Sequence, residues 1–130
     1  MLNIVSFAKA LGDITRWRIV RLVMDEALCV CELADILGMP QSSVSSHVQV
    51  IRKAGMLESE KCEKWTYFRI DPQHLKLLRA FEAHFAEFAD WSVDDEKAAA
   101  RLKQREGSCC PGPQHLITRK PTTLKITAAP

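Results

Sequence analysis

Apolar residues recur at helical spacing through the first half of the chain, and short polar breaks separate the repeats. Gly12-Asp13 and Gly38 supply two of these breaks, and Met39-Pro40 forms a turn before the last segment. Gly55 follows that segment in the position of a helix-ending glycine. The spacing predicts four helices: residues 4–11, a segment starting at Asp13 or Thr15, residues 29–37, and residues 41 to about 54.

The pattern then changes to alternation with period two. Met56–Lys61 and Trp65–Ile70 are rich in β-type residues and flank the short break Cys62-Glu63-Lys64, which predicts a two-stranded β-hairpin. Four helices followed by a hairpin indicate a mainly α fold, the winged helix-turn-helix with the hairpin as its wing. The segment from Gln41 is then the helix that reads DNA, supported by the short helix before it.

One apolar stripe is left over after this core is assembled. Leu78, Phe81, Phe85 and Phe88 share a face of a predicted long helix that runs to about Trp91. The stripe fits either an internal core or a dimer face, and we favour a homodimer formed through the terminal helices. A further short helix is predicted over residues 94–105. The predicted organisation is a DNA-binding and dimerisation domain over residues 1–92 and a C-terminal helix with a flexible, basic, cysteine-containing tail over residues 93–130.

Charge is distributed unevenly along the 130 residues, whose net charge is +2. Residues 1–96 hold 11 Lys/Arg and 15 Asp/Glu, a net of −4, whereas residues 97–130 hold 7 Lys/Arg and only Glu106, a net of +6. Global charge therefore gives no argument for nucleic acid, and the local pattern must supply one. We find no secretory signal and no apolar run of membrane-spanning length, so we expect a cytoplasmic protein without a membrane partner.

The local pattern favours double-stranded DNA as the partner. Short hydroxyl and amide side chains crowd the start of the fourth helix, where they permit close approach to base edges and where backbone N–H groups suit phosphate. Basic residues at the end of that helix and on the hairpin would neutralise phosphates. The candidate DNA-binding residues are Gln41, Ser42, Ser43, Ser45, Ser46, Gln49, Arg52, Lys61 and Lys64.

Cys29-Val-Cys31 lies directly before the helix that supports the reader. Cysteines in a reducing compartment are ligands or sensors more often than disulfide partners, and thiolates suit soft ions. Residues two apart in a regular helix do not share a face, so the two sulfurs can converge only where the helix begins or is distorted. The helix dipole there is expected to favour a thiolate at Cys29. An ion held here would deform this helix start and tilt the reading helix.

The identity of a third thiolate stays open from the sequence. Cys109 and Cys110 precede Pro111-Gly112-Pro113, which suits an arm that folds back, and this adjacent pair could also capture an ion by itself. Cys62 is expected to be poorly placed, because a wing tip points toward DNA. The candidate metal ligands are therefore Cys29, Cys31, Cys109 and Cys110.

This order of motifs resembles the ArsR/SmtB family of metal-responsive repressors, over about residues 7–112. Leu28-Cys29-Val30-Cys31-Glu32-Leu33 is similar to the inducer-binding motif of arsenical-resistance repressors, and Gln41-Ser42 through Ser45-Ser46-His47 carries the likeness into the reading helix. The resemblance implies a homodimer that binds operator DNA and leaves it when arsenite or antimonite binds. Two positions depart from the family pattern: Ala34 stands where a third cysteine is usual, and Glu63 stands where the wing tip usually has glycine.

Other functions remain to be separated from this hypothesis. A thiol-based redox sensor and a zinc- or cadmium-responsive repressor of the same fold are the alternatives. For zinc, His84 and Glu87 fit a spacing used in the family, but Asp71 and His74 are one residue too far apart, so surface or structural histidines are favoured. His47 is expected to hold the reading helix by hydrogen bonds. An enzyme is not expected, because the chain lacks Cys-x-x-Cys and an acid–base partner beside a thiol.

Overall fold

The computed structural model describes residues 3–108 and 110–119. Over these residues the chain forms four helices, an antiparallel hairpin and two further helices, which confirms the predicted winged helix-turn-helix. No helix in the described part of the chain combines the length and apolarity needed to cross a bilayer. The elements are α1 (Ile4–Leu11), α2 (Ile14–Asp25), α3 (Val30–Leu37), α4 (Gln41–Lys53), β1 (Leu57–Cys62), β2 (Trp65–Ile70), α5 (Leu75–His84) and α6 (Ser92–Lys103).

Local capping chemistry explains where the first helices begin and end. The Asn3 side chain accepts the Ser6 N–H at 2.9 Å, and the Asp13 side chain accepts the Arg16 N–H at 3.0 Å. Each satisfies a backbone donor that the first helical turn leaves unpaired. Gly38 ends α3 with a φ of 65°, a conformation that a residue without Cβ adopts at low cost.

The core lies between the helices and the inner face of the hairpin. Buried residues of α2, α3 and α4 pack together, and Phe68 and Ile70 of β2 join them. Leu28 and Phe68 exchange backbone hydrogen bonds of 3.0 and 2.9 Å, so the residue before Cys29 is tied directly to the wing. The fold thus places the cysteine pair between the supporting helix of the reader and the base of the hairpin.

The predicted long helix to Trp91 is wrong. Helix α5 ends at His84, a single 3-10 turn covers Ala86–Phe88, and the chain is extended at Ala89 before α6 begins. The Asp90 carboxylate accepts the Ser92 N–H at 2.9 Å, which starts a new helix instead of continuing the old one. Helix α6 overlaps the short helix predicted over residues 94–105 but begins at Ser92 and ends at Lys103.

The four residues of the apolar stripe also differ in burial, although the sequence predicted one common face. Leu78 is fully buried in the core, whereas Phe81, Phe85 and Phe88 are 36%, 52% and 77% exposed. Phe81 and Phe85 line an apolar groove of about 690 Å³ between α1 and α5, together with Ile4, Phe7, Ala8, Leu11, Gly12, Trp17, Leu77 and Trp91. Only part of the stripe is therefore free to meet a partner.

Residues 110–119, which we call the strap, lie against the wing, although composition predicted a flexible tail from Glu106. The Gly112 N–H donates to Tyr67 Oη at 2.7 Å, and Arg119 Nη1 donates to the carbonyls of Met24 and Ile70 at 2.8 Å each. These buried backbone and hydroxyl partners explain the order of the strap. Residues 120–130 of the predicted tail lie outside the described residues, and the division at residues 92 and 93 stays a prediction.

Candidate metal centre and nucleic-acid interface

The start of α3 brings the paired cysteines together. Cys29 is the N-cap residue, with extended backbone angles of φ −91° and ψ 169°, while Cys31 lies in the first helical turn. The chain therefore changes direction between the two residues, and their side chains reach the same side. The spacing of the two cysteines predicted that their sulfurs could converge only where a helix begins or is distorted. Cys29 and Cys31 lie at such a helix start.

Cys110 of the strap completes a group of three thiols. Cys29 Sγ lies 3.5 Å from Cys110 Sγ, and the sulfurs of Cys29, Cys31 and Cys110 all lie within 4.8 Å of one another. Cys29 and Cys110 are buried, and Cys31 is half-buried. Cys109 lies outside the described residues, so the structure does not test it as a ligand. We call Cys29, Cys31 and Cys110 the thiol cluster.

Cys62 lies nearer to the thiol cluster than sequence reasoning predicted. It is half-buried and packs against a small apolar group formed by Ala27, Cys29, Tyr67 and Cys110. Cys62 ends β1 on the hairpin face that meets the strap, and this position explains its packing against that group. Its sulfur nevertheless falls outside the group of three that could share one ion.

Burial sets the protonation of Cys29. Removal from solvent raises the pKa of the Cys29 thiol, and the hydrogen bond from the Glu32 backbone N–H offsets only part of this rise. In the ion-free protein the stabilisation of a thiolate that was expected from the helix start is therefore outweighed by burial. A neutral thiol here suits a ligand that exchanges its own oxygen for sulfur and carries the thiol proton away in water.

An ion pair formed by the buried Glu32 carboxylate lies next to the thiol cluster. Glu32 is fully buried, accepts the Cys29 N–H at 3.2 Å, and receives Arg105 Nε at 2.6 Å and Arg105 Nη2 at 2.9 Å. Arg101 Nη1 lies 4.0 Å from the same carboxylate, and Arg101 Nε donates to Asp35 at 2.8 Å. This network joins α3 to the end of α6, and so fixes the route by which the chain returns to bring Cys110 beside Cys29.

Sequence reasoning missed Glu32 and Arg105. The spacing of Cys29 and Glu32 carried a signal, because an acidic residue three positions after an N-cap is typical of a capping box. No local feature of the sequence indicated that Arg105 pairs with Glu32, because this pairing depends on how α6, which precedes Arg105, packs against α3.

The predicted reading helix presents the expected polar residues outward. Val44, Val48 and Ile51 are buried, and α4 starts after Pro40 without a side-chain cap, which leaves its first backbone N–H groups available to a phosphate. Gln41, Ser42, Ser46, Arg52, Lys61 and Lys64 are exposed, and Ser43, Ser45 and Gln49 are half-buried.

Some of these side chains already have internal partners. Gln49 Oε1 accepts from Arg52 Nη2 at 2.8 Å, and Ser46 Oγ donates to the Ser42 carbonyl at 3.1 Å. Arg52 must therefore exchange an amide partner for any phosphate that it binds. Lys64 Nζ lies 5.1 Å from the centre of the Trp65 ring, which holds this cation near the wing tip.

His47 and His74 have structural surroundings. His47 Nδ1 lies 3.4 Å from Arg16 Nη1, as expected for a residue that holds α4, and His74 Nε2 lies 3.1 Å from the Gly55 carbonyl oxygen. His84 is the last residue of α5 and Glu87 lies in the 3-10 turn, so the two do not share one regular helix as a zinc pair would require.

Comparison with known proteins decides the family. Residues 13–59 match the model of the arsR family of bacterial regulatory proteins. The chain is 31% identical over 109 residues to the arsenical resistance operon repressor of Escherichia coli strain K12, which covers 83% of this chain and 89% of that protein. This chain belongs to the ArsR family. Its class of function is accordingly transcriptional repression by a DNA-binding protein, and it is not an enzyme.

Solved structures support the same fold for this ArsR-family protein. A possible transcriptional regulator for arsenical resistance is 29% identical, with a TM-score of 0.51, and the match covers 75% of this chain and 97% of that chain. The homodimeric winged helix-turn-helix domain Mb0332 of Mycobacterium bovis is 22% identical with a TM-score of 0.60 and covers 66% and 81% of the two chains. The second likeness concerns the fold alone.

Proposed function

We propose that this ArsR-family protein is a homodimeric repressor that leaves its operator when trivalent arsenic or antimony binds to the thiol cluster. Three thiols lie within 4.8 Å of one another in one protomer, and this observation carries the proposal. Trivalent arsenic and antimony are soft and prefer sulfur ligands, typically three. Ala34 stands where the family usually has a third cysteine, and Cys110 supplies the third thiol instead. We infer no role for Cys109.

The chemistry of the cluster matches the neutral hydroxide form of the metalloid. Arsenic trihydroxide and three thiols give one arsenic–trithiolate group and three waters, so three As–O and three S–H bonds are exchanged for three As–S bonds and three O–H bonds. No net charge enters the buried site in this exchange. A divalent zinc or cadmium ion with three thiolates would instead leave a net charge of −1 among buried groups, which burial disfavours. These ions are therefore the weaker candidates.

Native mass spectrometry of the reduced protein tests this site directly. We expect one arsenic per protomer with the loss of three thiol protons, and the Cys62→Ser control should bind the same amount because Cys62 lies outside the group of three. Binding by a Cys29→Ser, Cys31→Ser, Cys110→Ser triple variant at the wild-type level would assign the ion to another site.

The proposed route to DNA runs through α3. An ion that draws Cys29 and Cys31 together acts on the N-cap and first turn of the helix that packs against α4. A ligand shifts a conformational equilibrium only through its different affinities for the two states. The ion therefore favours the arrangement of α3 and α4 in which the three sulfurs are closest, and operator binding favours another.

DNA recognition divides between specifying and anchoring residues. Replacing the exposed Lys64 by Ala should weaken binding to operator and random DNA alike and lower the salt slope of the binding constant by about one, because one phosphate contact is lost. Replacing Gln41 by Ala should cost about 1–3 kcal/mol on the operator and little on random DNA, because a base contact is lost. Fluorescence anisotropy at several salt concentrations measures both, and an equal loss for Gln41→Ala on the two DNAs would contradict its role.

A second copy of the chain is the proposed occupant of the groove between α1 and α5. Phe85 lines this groove and is 52% exposed, so Phe85→Glu should raise the dimer dissociation constant more than about tenfold, because an unpaired charge would be buried. Val93 is 59% exposed on α6 and does not line the groove, so Val93→Glu is the matched control. Sedimentation should show a monomer for the first variant only. Dimers of both variants at equal concentration would place the interface elsewhere.

Oxidation sensing is a second candidate function. It is favoured by the 3.5 Å separation of the Cys29 and Cys110 sulfurs, since two thiols and a hydroperoxide give one disulfide, an alcohol and water. Mass spectrometry after peroxide treatment should then find the loss of two hydrogens and a peptide that joins residues 29 and 110. Operator binding that survives this oxidation unchanged would rule out redox control.

A further inference from the structure

One face of the wing is covered by the strap. In the hairpin register Glu58 lies opposite Arg69, and Glu60 lies opposite Tyr67. Side chains alternate between the two faces of a hairpin, so these four residues share one face. Arg119 Nη2 donates to Glu58 at 2.9 Å, and the Arg69 guanidinium donates to the Ile117 carbonyl. The strap thus contacts both strands of the hairpin.

Glu60 is the principal anchor on β1. Its carboxylate accepts three successive backbone N–H groups of the strap, from Gln114 at 2.7 Å, His115 at 2.8 Å and Leu116 at 2.9 Å. Successive N–H groups that converge in this way form an anion-binding nest, and here the anion is a side chain of the wing. Burial opposes the charge, but the three N–H donors outweigh it and lower the pKa of Glu60.

Tyr67 is the anchor on β2, directly across the hairpin from Glu60. Its side chain is fully buried, and its hydroxyl accepts the Gly112 N–H at 2.7 Å. Gly112 follows Cys110 by two positions, and two residues span at most about 7 Å. A displacement of Cys110 therefore reaches the wing through a very short length of chain.

We propose that the strap transmits the occupancy of the thiol cluster to the wing, with Glu60 as the positioning residue that couples them. This inference rests on the proposed function. The three sulfurs lie within 4.8 Å of one another, and an ion bonded to all three fixes the distances between them. Cys110 is then tied to the start of α3, so the strap follows any movement of that helix.

A movement of the wing would change the phosphate contacts that we propose for it. Lys61 adjoins Glu60, and Lys64 follows in the turn, and both are exposed and proposed to bind phosphate. A shift of the hairpin changes both contacts together. The ion thus acts on DNA binding by two routes, through α3 from Cys29 and Cys31 and through the strap from Cys110.

The test compares Glu60→Ala with Glu63→Ala. Both variants remove one negative charge from the wing, but Glu63 lies in the hairpin turn and makes no hydrogen bond with the strap in the described part of the chain. The operator dissociation constant is measured by anisotropy with and without arsenite, and arsenite stoichiometry by native mass spectrometry. We expect both variants to bind one arsenic per protomer. The arsenite-induced loss of affinity should shrink about 2- to 30-fold in Glu60→Ala and stay at the wild-type value in Glu63→Ala.

Hydrogen exchange separates failure of this inference from failure of the proposed function. In the wild-type protein arsenite should change exchange in residues 30–37 and in residues 57–70, whereas in Glu60→Ala only the change in residues 30–37 should remain. A Glu60→Ala protein that binds arsenic and keeps the wild-type loss of operator affinity would overturn the role of the strap alone. A wild-type protein that binds no arsenic would overturn the proposed function and this inference together.

Discussion

Serine at Cys29, Cys31 or Cys110 is expected to leave operator binding intact and to abolish its loss when arsenite is added. The three thiols lie within 4.8 Å of one another, and removal of one leaves too few sulfur ligands for a trivalent metalloid. Couplings between two sites typically amount to about 1–3 kcal/mol, so the wild-type operator affinity should fall about 5- to 150-fold with arsenite. Each serine variant should show a ratio near one by anisotropy.

Two controls make this series specific. Cys62→Ser should keep the wild-type ratio, because Cys62 packs nearby but lies outside the group of three. Deletion of residues 107–130 removes Cys110 and should likewise hold the ratio near one at the wild-type arsenite dose. If Cys29→Ser and Cys31→Ser released DNA at the wild-type dose while the deletion did not, the inducer would be bound by the tail and the proposed cluster would be wrong.

Glu32→Ala should lower the free energy of unfolding by about 3–5 kcal/mol. The Glu32 carboxylate is fully buried and pairs with Arg105 at 2.6 Å, and its removal leaves the Arg105 cation, whose side chain is only 19% exposed, without its carboxylate partner. The Cys29 N–H loses its acceptor at the same time. Urea unfolding at a fixed protein concentration measures the change in the free energy of unfolding.

Asp35→Ala is the matched control for Glu32. Asp35 lies on the same helix and pairs with Arg101 at 2.8 Å, but its side chain is 63% exposed. Arg101 is buried, but it keeps Glu32 at 4.0 Å, and water can take the place of the exposed Asp35 carboxylate, so this variant should lose less stability than Glu32→Ala. Equal losses of stability in the two variants would mean that burial of Glu32 does not set the strength of its pair.

The parts of the fold that depend on local pattern could be predicted from the sequence. Helical spacing, glycine breaks and period-two alternation located α1 to α4 and the hairpin, because these signals act over a few residues. The break after His84 could not be read in this way, since the apolar stripe continues through Phe85 and Phe88 although the helix does not. Asp90 was the local signal for that break, because its short carboxylate accepts the N–H of Ser92, the first residue of the next helix.

The candidate site could likewise be predicted where it depends on local pattern and could not where it depends on long-range contacts. The spacing of Cys29 and Cys31 predicted convergence at a helix start, a local property that the backbone angles explain. The choice of Cys110 as neighbour depends on the strap, and so on long-range pairs such as Glu32–Arg105 and Glu60 with the N–H groups of residues 114–116. The two acidic residues of β1, Glu58 and Glu60, were an unused signal, because carboxylates on a wing that approaches phosphate require another cation or donor.

The 81 positions that separate Cys29 from Cys110 give a bound ion a second consequence. An arsenic atom shared by these residues would close most of the chain into a ring, and the unfolded protein would not offer the three sulfurs in this arrangement. A ligand that binds only the folded state stabilises it by about 2.7 kcal/mol at 100 times its dissociation constant. The inducer would therefore prolong the lifetime of the repressor that it removes from DNA. When the metalloid leaves the cell, repression could resume from the existing molecules, without waiting for new synthesis.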